Sequence, residues 1–337
     1  RAGALGVLDP TTAGEAHPDH CLGCRSCEAV CPAGVEYGAL LIQARDRQRQ
    51  RRPARLRRRV IEALAGRPRL LAVLIHLYDC VRPLLPAPLC RLPPLGRQAG
   101  ASPADTQMQP RQGRAAVFVG CVARPYESAL RDALARCCAA LGIELTVPAG
   151  QTCCGSLHAH GGNTDTARRL ADANRVAFTD AGTVLTLASG CHEAVAQAVG
   201  PSQAMDALDF LAQRAATAPG ALRWRRRDER IALHLPCTQR NVVRSVPALR
   251  RLLAAVPGLQ VIELDAGYGC CGAAGLQAFE DPARADTYRA PLLRQLADSG
   301  ATRLLSANIG CRLHLAQGTD LPVQHPLEFL AELLDTL

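Results

Sequence analysis

The sequence contains no lysine, and all 39 of its basic residues are arginine. The absence of lysine excludes mechanisms that depend on a lysine Schiff base or on a phosphate-loop lysine. The exclusive use of arginine, together with abundant alanine, indicates a bias in the coding sequence. This bias weakens any argument that one particular arginine was selected for bidentate binding. Aromatic residues are also scarce, at 3% of the chain.

Long hydrophobic runs are absent as well. The apolar stretch from Leu70 to Leu77 is interrupted by His76 and is too short to span a membrane. No signal peptide is visible. The 337 residues are 48% hydrophobic, an ordinary balance for a globular protein with two or three domains.

Cysteine, in contrast, is abundant, with 16 residues. In a chain of this length their spacings are those of metal ligands, which indicates a reducing compartment. The most specific pattern is Cys21-x2-Cys24-x2-Cys27-x3-Cys31-Pro32, the bacterial ferredoxin spacing for a [4Fe–4S] cluster. Structural zinc sites usually separate their cysteine pairs by a longer loop, so zinc is less favoured. If Cys31 ligates a second cluster, the remaining ligands are expected upstream of Arg1, in a longer chain.

A second cysteine pattern is repeated. Each repeat has a single cysteine, a Cys-Cys-Gly and another single cysteine, and the matching residues are 116 to 120 positions apart: Cys121, Cys153, Cys154 and Cys191, then Cys237, Cys270, Cys271 and Cys311. Four thiols per repeat match the ligand set of one cluster, and the glycine lets the backbone come close. Buried cysteines that merely pack would not repeat in this way. One zinc ion per repeat remains an alternative.

Strand and helix patterns alternate between these cysteines. The predicted strands are 116–119, 143–147, 183–188, 231–235, 261–264 and 303–307, and the predicted helices are 126–141, 164–179, 246–256 and 281–298. This alternation predicts an α/β fold with parallel sheets and crossover helices. The thiols would then lie beyond the C-terminal ends of the strands. Open parallel sheets bind ligands there, and helix N-termini favour negative charge.

The segment between the ferredoxin-type cysteines and the first cysteine repeat is basic. Residues 41–69 carry an apolar stripe that predicts one helix, or two helices around Pro53. The arginines between positions 45 and 59 lack interleaved aromatics, so a solvated helix face is favoured over a nucleic-acid patch. Docking to an acidic partner or an anionic membrane surface comes second. Residues 83–110 are rich in proline, glycine and alanine and predict a linker.

Some cysteines and histidines stand outside these patterns. Cys80 and Cys90 have no assigned role, and Cys137 and Cys138 fall in a predicted helix, where at least one is assigned to core packing. Five histidines lie near the repeated cysteines: His158, His160, His192, His234 and His314. A histidine ligand would raise a cluster's potential, but we expect these residues to be hydrogen-bond partners or loop residues.

Together these residues resemble the iron–sulfur subunits of bacterial glycolate oxidase (glycolate dehydrogenase) over essentially the whole chain. The segments that carry the resemblance are Cys21–Val35, Cys153-Cys154-Gly155, Ala188–Cys191, Pro236-Cys237-Thr238, Cys270-Cys271-Gly272 and Ala307–Cys311. The repeat is similar to the cysteine-rich domain of heterodisulfide reductase. Related subunits serve lactate utilisation and anaerobic glycerol-3-phosphate dehydrogenase.

The resemblance implies an electron-transfer subunit with no catalytic residues of its own. FAD-containing subunits would oxidise glycolate to glyoxylate, and this chain would pass the electrons to quinone or another acceptor. It implies [4Fe–4S] clusters, one or two of the ferredoxin type and one per cysteine-rich domain, held by the twelve patterned cysteines. It also implies a cytoplasmic protein, with peripheral contact on the inner membrane and no nucleic-acid partner.

The chain departs from the family pattern in two respects. The family normally has two ferredoxin-type runs, and this sequence has one, which fits the expected truncation. The full heterodisulfide-type motif ends in Cys-x-x-Cys, but Ala188 and Asn308 occupy the first of those positions. A five-thiolate noncubane cluster therefore lacks a ligand in both repeats, whereas four thiolates can hold a cubane. Direct disulfide reduction by this chain is thus disfavoured.

The sequence therefore predicts a ferredoxin-type segment at 1–69, a linker at 70–113, and cysteine-rich domains at 114–220 and 221–337. The alternatives are an iron–sulfur subunit of lactate or glycerol-3-phosphate dehydrogenase, a heterodisulfide-reductase-like catalytic subunit, and a zinc- and nucleic-acid-binding protein.

Overall fold

The computed structural model describes residues 11–86, 90, 92–95, 113–267 and 269–335. Five helices come first in the described part of the chain: α1 (Thr12–His20), α2 (Ser26–Ala29), α3 (Tyr37–Arg51), α4 (Leu56–Ala65) and α5 (Pro68–Val81). The basic segment forms two helices on either side of Pro53, because proline lacks the N–H that a continuous helix would need.

The structure differs from the predicted linker at its N-terminal end. Residues 70–81 belong to α5, which begins at Pro68, a residue whose fixed φ suits the first turn of a helix. A short 3-10 turn, Arg82–Leu84, follows. Most of the remaining predicted linker lies outside the described residues. None of the described helices is long and apolar enough to cross a bilayer.

Two parallel sheets follow, as the sequence predicts, and each has four strands rather than the three predicted. The first contains β1 (Gly113–Phe118), β2 (Ile143–Thr146), β3 (Thr183–Thr186) and β4 (Ala204–Asp206) in the order β2-β1-β3-β4. The second contains β5 (Arg230–His234), β6 (Gln260–Glu263), β7 (Leu304–Ser306) and β8 (Val323–Gln324) in the order β6-β5-β7-β8. The two sheets therefore have the same topology, and the repeat in the sequence is a repeat in the fold.

Helices connect these strands. In the first domain they are α6 (Ala123–Tyr126), α7 (Ser128–Ala140), α8 (Ser156–His160), α9 (Thr164–Ala177), α10 (Ser189–Val199) and α11 (Ala207–Thr217). In the second they are α12 (Val246–Ala254), α13 (Gln277–Glu280), α14 (Pro282–Asp298), α15 (Ile309–Leu315) and α16 (Pro326–Glu332). A π-helical turn, Gln239–Val243, follows Cys237.

The two domains share one hydrophobic core. Helix α7 of the first domain packs on α16 of the second, and α11 of the first packs on α12 of the second. Fully buried residues from both domains meet there, including Leu130, Leu134, Leu249 and Phe329. Each domain also has a smaller core of its own, in which lie the four repeated cysteines of the first domain and Cys271 and Cys311 of the second. The shared core thus holds the two cysteine-bearing halves in a fixed relationship.

Candidate metal centres

The first cysteine-rich domain brings its four patterned thiols together. Cys121 follows β1, Cys153 and Cys154 precede α8, and Cys191 lies in the first turn of α10. The sulfurs of Cys121 and Cys153 are 3.5 Å apart, and those of Cys154 and Cys191 are 3.2 Å apart. Cys153 and Cys154 are almost completely buried. The group stands beyond the C-terminal ends of the strands, where the sequence predicts it.

Hydrogen bonds among the four cysteines of the first domain stabilise one of them as a thiolate. The thiols of Cys153 and Cys191, with help from Ser156, hold the pKa of Cys154 well below its ordinary value. The pKa values of Cys153 and Cys191 are raised in turn, chiefly because their hydrogens bond to neighbouring sulfurs. A buried set of thiols that already stabilises a thiolate is prepared to ligate a cation, because the thiolate is the metal ligand.

The second domain repeats this arrangement with Cys237, Cys270, Cys271 and Cys311. Hydrogen bonds from Cys237 and Cys271, and one from the backbone N–H of Gly272, lower the pKa of Cys270. The same contacts raise the pKa values of Cys237 and Cys271. Cys270, Cys271 and Cys311 are all buried.

A glycine lets a helix backbone pass directly against each double cysteine. Gly155 has φ +86° and Gly272 has φ +91°, which is the left-handed region. A Cβ at Gly155 would lie 3.2 Å from the carbonyl oxygen of Ala167 in α9, and one at Gly272 would lie 2.4 Å from that of Ala285 in α14. Any side chain at either position would therefore displace the cysteines from the helix behind them.

The N-terminal cysteine run surrounds α2. Burial, followed by the charges of Cys24 and Cys21, raises the pKa of Cys27. Backbone N–H groups of Val35, Ala33 and Gly34 bond to the sulfur of Cys31 and lower its pKa. The four-cysteine ligand set of this run stays a prediction.

This N-terminal loop is bound to both cysteine-rich domains. The Asn241 side chain, just after Cys237, donates to the carbonyl of Cys24 at 2.7 Å. Arg25 pairs with Glu193, just after Cys191, at 2.6 Å. Arg45 donates to the carbonyls of Cys21 at 2.6 Å and of His160 at 2.9 Å. The loop therefore lies beside the cysteines of both domains.

The two repeated sites also contact each other directly. The hydroxyls of Ser189, two residues before Cys191, and Thr238, next to Cys237, are 2.8 Å apart. Asn308 donates to the same Thr238 hydroxyl at 3.5 Å, and a Cβ at Gly190 would lie 3.2 Å from the Asn308 amide nitrogen. All three thiol groups thus gather in one region of the molecule.

The arginine-rich segment is in part the solvated face that the sequence favours, because Arg51, Arg52, Arg55, Arg57 and Arg59 are exposed. Four of its arginines also bind acidic side chains of the chain: Arg49 pairs with Glu62, Arg51 and Arg52 with Glu15, and Arg58 with Glu280 of α13. Sequence reasoning missed this because each partner belongs to a different helix, and several are far away in the sequence. These arginines attach α3 and α4 to the rest of the molecule.

The remaining cysteines and histidines have varied surroundings. Cys137 and Cys138 are fully buried in the shared core, which confirms packing as their role. Cys80 is exposed, and Cys90 lies near backbone carbonyls. Three of the five histidines have hydrogen-bond partners away from the cysteines: His158 at Glu62, His192 at Thr186 and His314 at Ala285. His160 packs against Gly23 of the N-terminal loop. His234 differs from these, because burial lowers its pKa to about 4 and its ring lies beside cysteines of the second site.

Comparisons with known proteins agree with this geometry. Residues 115–196 and 231–316 match the family model of the cysteine-rich (CCG) domain. The molecule is therefore a protein with two cysteine-rich domains. Over 95% of its length it is 27% identical to the probable glycolate oxidase iron–sulfur subunit of Bacillus subtilis, covering 81% of that protein. Also over 95% of its length, the chain is 29% identical to the glycolate oxidase iron–sulfur subunit of Escherichia coli and covers 82% of that protein.

A more limited match is a subunit of the anaerobic glycerol-3-phosphate dehydrogenase of Escherichia coli, with 31% identity over 33% of this chain and 31% of that protein. The relatives that cover nearly the whole chain agree with the resemblance seen in the cysteine motifs. Over nearly its whole length the chain is thus similar to glycolate oxidase iron–sulfur subunits, and it carries two cysteine-rich (CCG) domains.

Proposed function

We propose that this chain is the electron-transfer subunit of a glycolate oxidase (glycolate dehydrogenase) complex. It takes electrons from FAD-containing subunits that oxidise glycolate to glyoxylate and passes them to an acceptor such as quinone. The observation that carries this proposal is the gathering of three thiol groups, two of them buried, in a chain related over 95% of its length to glycolate oxidase iron–sulfur subunits.

The buried thiols fit the proposed clusters. Cys121, Cys153, Cys154 and Cys191 would hold one cluster, and Cys237, Cys270, Cys271 and Cys311 would hold another. Each set already has one thiol whose pKa is lowered by its neighbours, and thiolates are the ligands that iron–sulfur clusters use. When bound, such clusters supply one-electron transfer without proton chemistry at the protein. The chain contributes burial, hydrogen bonds and fixed positions, which tune the potential.

The N-terminal run would hold a ferredoxin-type [4Fe–4S] cluster through Cys21, Cys24, Cys27 and Cys31. In two-cluster ferredoxins the fourth cysteine of such a run serves the other cluster, so Cys31 would ligate a second cluster if the complex contains one. Because this loop contacts residues next to Cys191 and Cys237, its cluster would exchange electrons with either domain.

Disulfide reduction is less well supported. Ala188 offers no ligand atom where the fifth cysteine would stand. Asn308 already uses its side chain to cap α15, where it accepts the N–H of Gly310 at 3.2 Å. Four thiols per domain suit a relay of electrons rather than a site that opens a substrate disulfide.

We also propose that the chain contacts the membrane peripherally through the outer side of α4 and α5, which we call the α4–α5 face. It exposes the apolar residues Leu56, Val60, Leu70, Val73 and Leu77. The exposed arginines Arg55, Arg57, Arg59 and Arg69 lie on the same two helices or next to them. Apolar side chains flanked by cations suit a bilayer that contains anionic phospholipids. Membrane contact would also place the relay near a quinone.

The electron-transfer role is tested by co-expressing the chain with its FAD-containing partner subunits and purifying the complex anaerobically. We expect the subunits to co-purify, and glycolate to bleach the visible absorption of the clusters. The Cys154→Ser variant should slow electron transfer to a quinone analogue, whereas Cys138→Ser, a change in the shared core, should not. Reduction by lactate or glycerol 3-phosphate but not by glycolate would instead assign the chain to one of the related dehydrogenases.

A further inference from the structure

The buried histidine at the end of β5 has one ring nitrogen without a partner. The His234 side chain is completely buried, and its Nδ1 lies 3.0 Å from the Ser306 hydroxyl. Its Nε2 is buried and makes no hydrogen bond within the described residues. Buried polar atoms rarely remain unpaired, because the lost hydration is not replaced. The free Nε2 therefore indicates an absent partner.

The cysteines of the second site lie beside this histidine. A ring nitrogen of His234 and the sulfurs of Cys271 and Cys311 are all within 4.8 Å of one another, and all three residues are buried. Because Nδ1 can donate its hydrogen to Ser306, Nε2 would keep its lone pair. Metal-ligating histidines are held in this way, with the second ring nitrogen bonded to a neighbouring group that fixes the tautomer and the orientation of the ring.

The first domain provides an internal comparison. If Cys121 is aligned with Cys237, the residue that corresponds to His234 is Phe118, which packs against Phe178 with the ring centres 6.2 Å apart. If Cys191 is aligned with Cys311, Thr186 corresponds to Ser306. The Thr186 hydroxyl forms its hydrogen bond with His192 of α10, at 2.8 Å. Among the described residues, His192 does not belong to a group of three possible metal-ligating atoms within 4.8 Å of one another, whereas His234 does. The two domains thus use a similar hydroxyl to hold histidines from different elements.

We propose that His234 is a ligand of the metal centre in the second cysteine-rich domain, through Nε2. This inference rests on the proposed function, since the metal is the iron of the cluster. Because a four-iron cubane takes one terminal ligand per iron, the second centre would then bind one imidazole and three thiolates, whereas the first would bind four thiolates. Since an imidazole ligand raises a cluster's potential, the second centre would be the more easily reduced of the two.

The test is pulsed electron paramagnetic resonance of the dithionite-reduced complex, produced with [15N]histidine. We expect a histidine nitrogen coupled as strongly as a directly bonded ligand. This coupling should be lost in His234→Phe, which copies the residue of the sister domain. His234→Gln provides a second variant if the phenylalanine is not tolerated. His192→Phe is the matched control and should retain the coupling.

Three results would overturn the ligand assignment: no strongly coupled histidine nitrogen in the natural sequence, only the weak coupling of a hydrogen-bonded nitrogen, or a strong coupling that survives in both His234 variants. Iron and acid-labile sulfide are measured on the same samples. Protein that contains iron but lacks the nitrogen coupling refutes this inference alone. Protein without iron or sulfide would refute the proposed function as well.

Discussion

Among single residues, Glu62 shows how the N-terminal segment is held on the first cysteine-rich domain. Its side chain is 3% exposed and accepts two hydrogen bonds from Arg49 of α3, each at 2.7 Å. It also accepts one from Asn163 at 2.9 Å, at the start of α9. The Glu62 carbonyl lies 2.9 Å from His158, which follows the double cysteine. One buried carboxylate thus joins α4, α3 and the region around the first site.

The Glu62→Gln variant is expected to destabilise the protein by about 2 kcal/mol, because it weakens charge-assisted hydrogen bonds to a buried carboxylate whose partner Arg49 is 22% exposed. Urea unfolding followed by circular dichroism measures this. The matched control is Glu280→Gln, which breaks an equally short pair with Arg58 whose side chains are 30% and 34% exposed. That change should cost about 1 kcal/mol or less. Equal effects of the two changes would contradict a special role for Glu62.

At the scale of secondary-structure elements, α16 begins at a histidine that joins the two domains. The His325 ring accepts the N–H of Leu327 through Nδ1 at 3.1 Å, so Nε2 carries the hydrogen and donates to the Leu187 carbonyl of the first domain at 3.1 Å. Burial, with the charge of Arg312 second, holds the pKa of His325 well below its ordinary value of 6.5. The ring is therefore neutral in the folded protein.

This neutral cap predicts a stability that depends on pH. Below pH 6.5 the unfolded chain binds a proton that folded His325 does not, so the free energy of unfolding falls by up to about 1.4 kcal/mol per pH unit. The His325→Asn variant keeps a capping side chain but lacks the titrating group. It should be less stable by about 1 kcal/mol at pH 8 and should lose less stability between pH 7 and pH 5. Urea midpoints measure both effects.

The control for this prediction is His17→Asn, which changes an exposed histidine of α1 and should leave the pH dependence as it is. If His325→Asn and the natural sequence lose stability equally on acidification, His325 is not the group responsible.

The α4–α5 face leads to a prediction about membrane binding. Val73 and Leu77 are 63% and 59% exposed on α5. Replacing either by glutamate should weaken binding to phosphatidylglycerol vesicles roughly tenfold or more, because burial of one such side chain contributes about 1.5–3 kcal/mol. Vesicle co-sedimentation measures the binding. The matched control is Val176→Glu, which changes a similarly exposed residue of α9. If the variant still binds vesicles but no longer co-purifies with the flavoprotein, the α4–α5 face binds that partner rather than the membrane.

At the scale of the whole molecule, the sequence predicts the repeated sheets well because buried parallel strands are short, continuous apolar runs bounded by the cysteine loops. It misses β4, β8 and several helices, among them α11 and α16 of the shared core and α10 and α15, which carry Cys191 and Cys311. The strands β4 and β8 have three and two residues, too few for a recognisable pattern. The helices α10 and α15 begin within segments assigned to ligand loops.

The candidate sites were predictable to the extent that their chemistry is local. In each cysteine-rich domain the predicted thiols do come together, because the loops that carry them are adjacent in a parallel sheet, whereas the four-cysteine set of the N-terminal run stays a prediction. The contacts of Asn241 with Cys24 and of Glu193 with Arg25 join residues separated by 217 and 168 positions, and no periodicity indicates them. His234 was one of five histidines near cysteines. Within the described residues both His158 and His234 have a buried ring nitrogen without a partner, and only the fold shows that the ring of His234 lies beside two cysteine sulfurs.

Iron and acid-labile sulfide, measured in the anaerobically purified protein, decide whether the grouped thiols hold iron–sulfur clusters. We expect about four of each per cluster, with about one cluster lost in each of Cys154→Ser and Cys271→Ser and none lost in Cys138→Ser. Zinc without acid-labile sulfide, or an equal loss of iron in all three variants, would contradict this expectation.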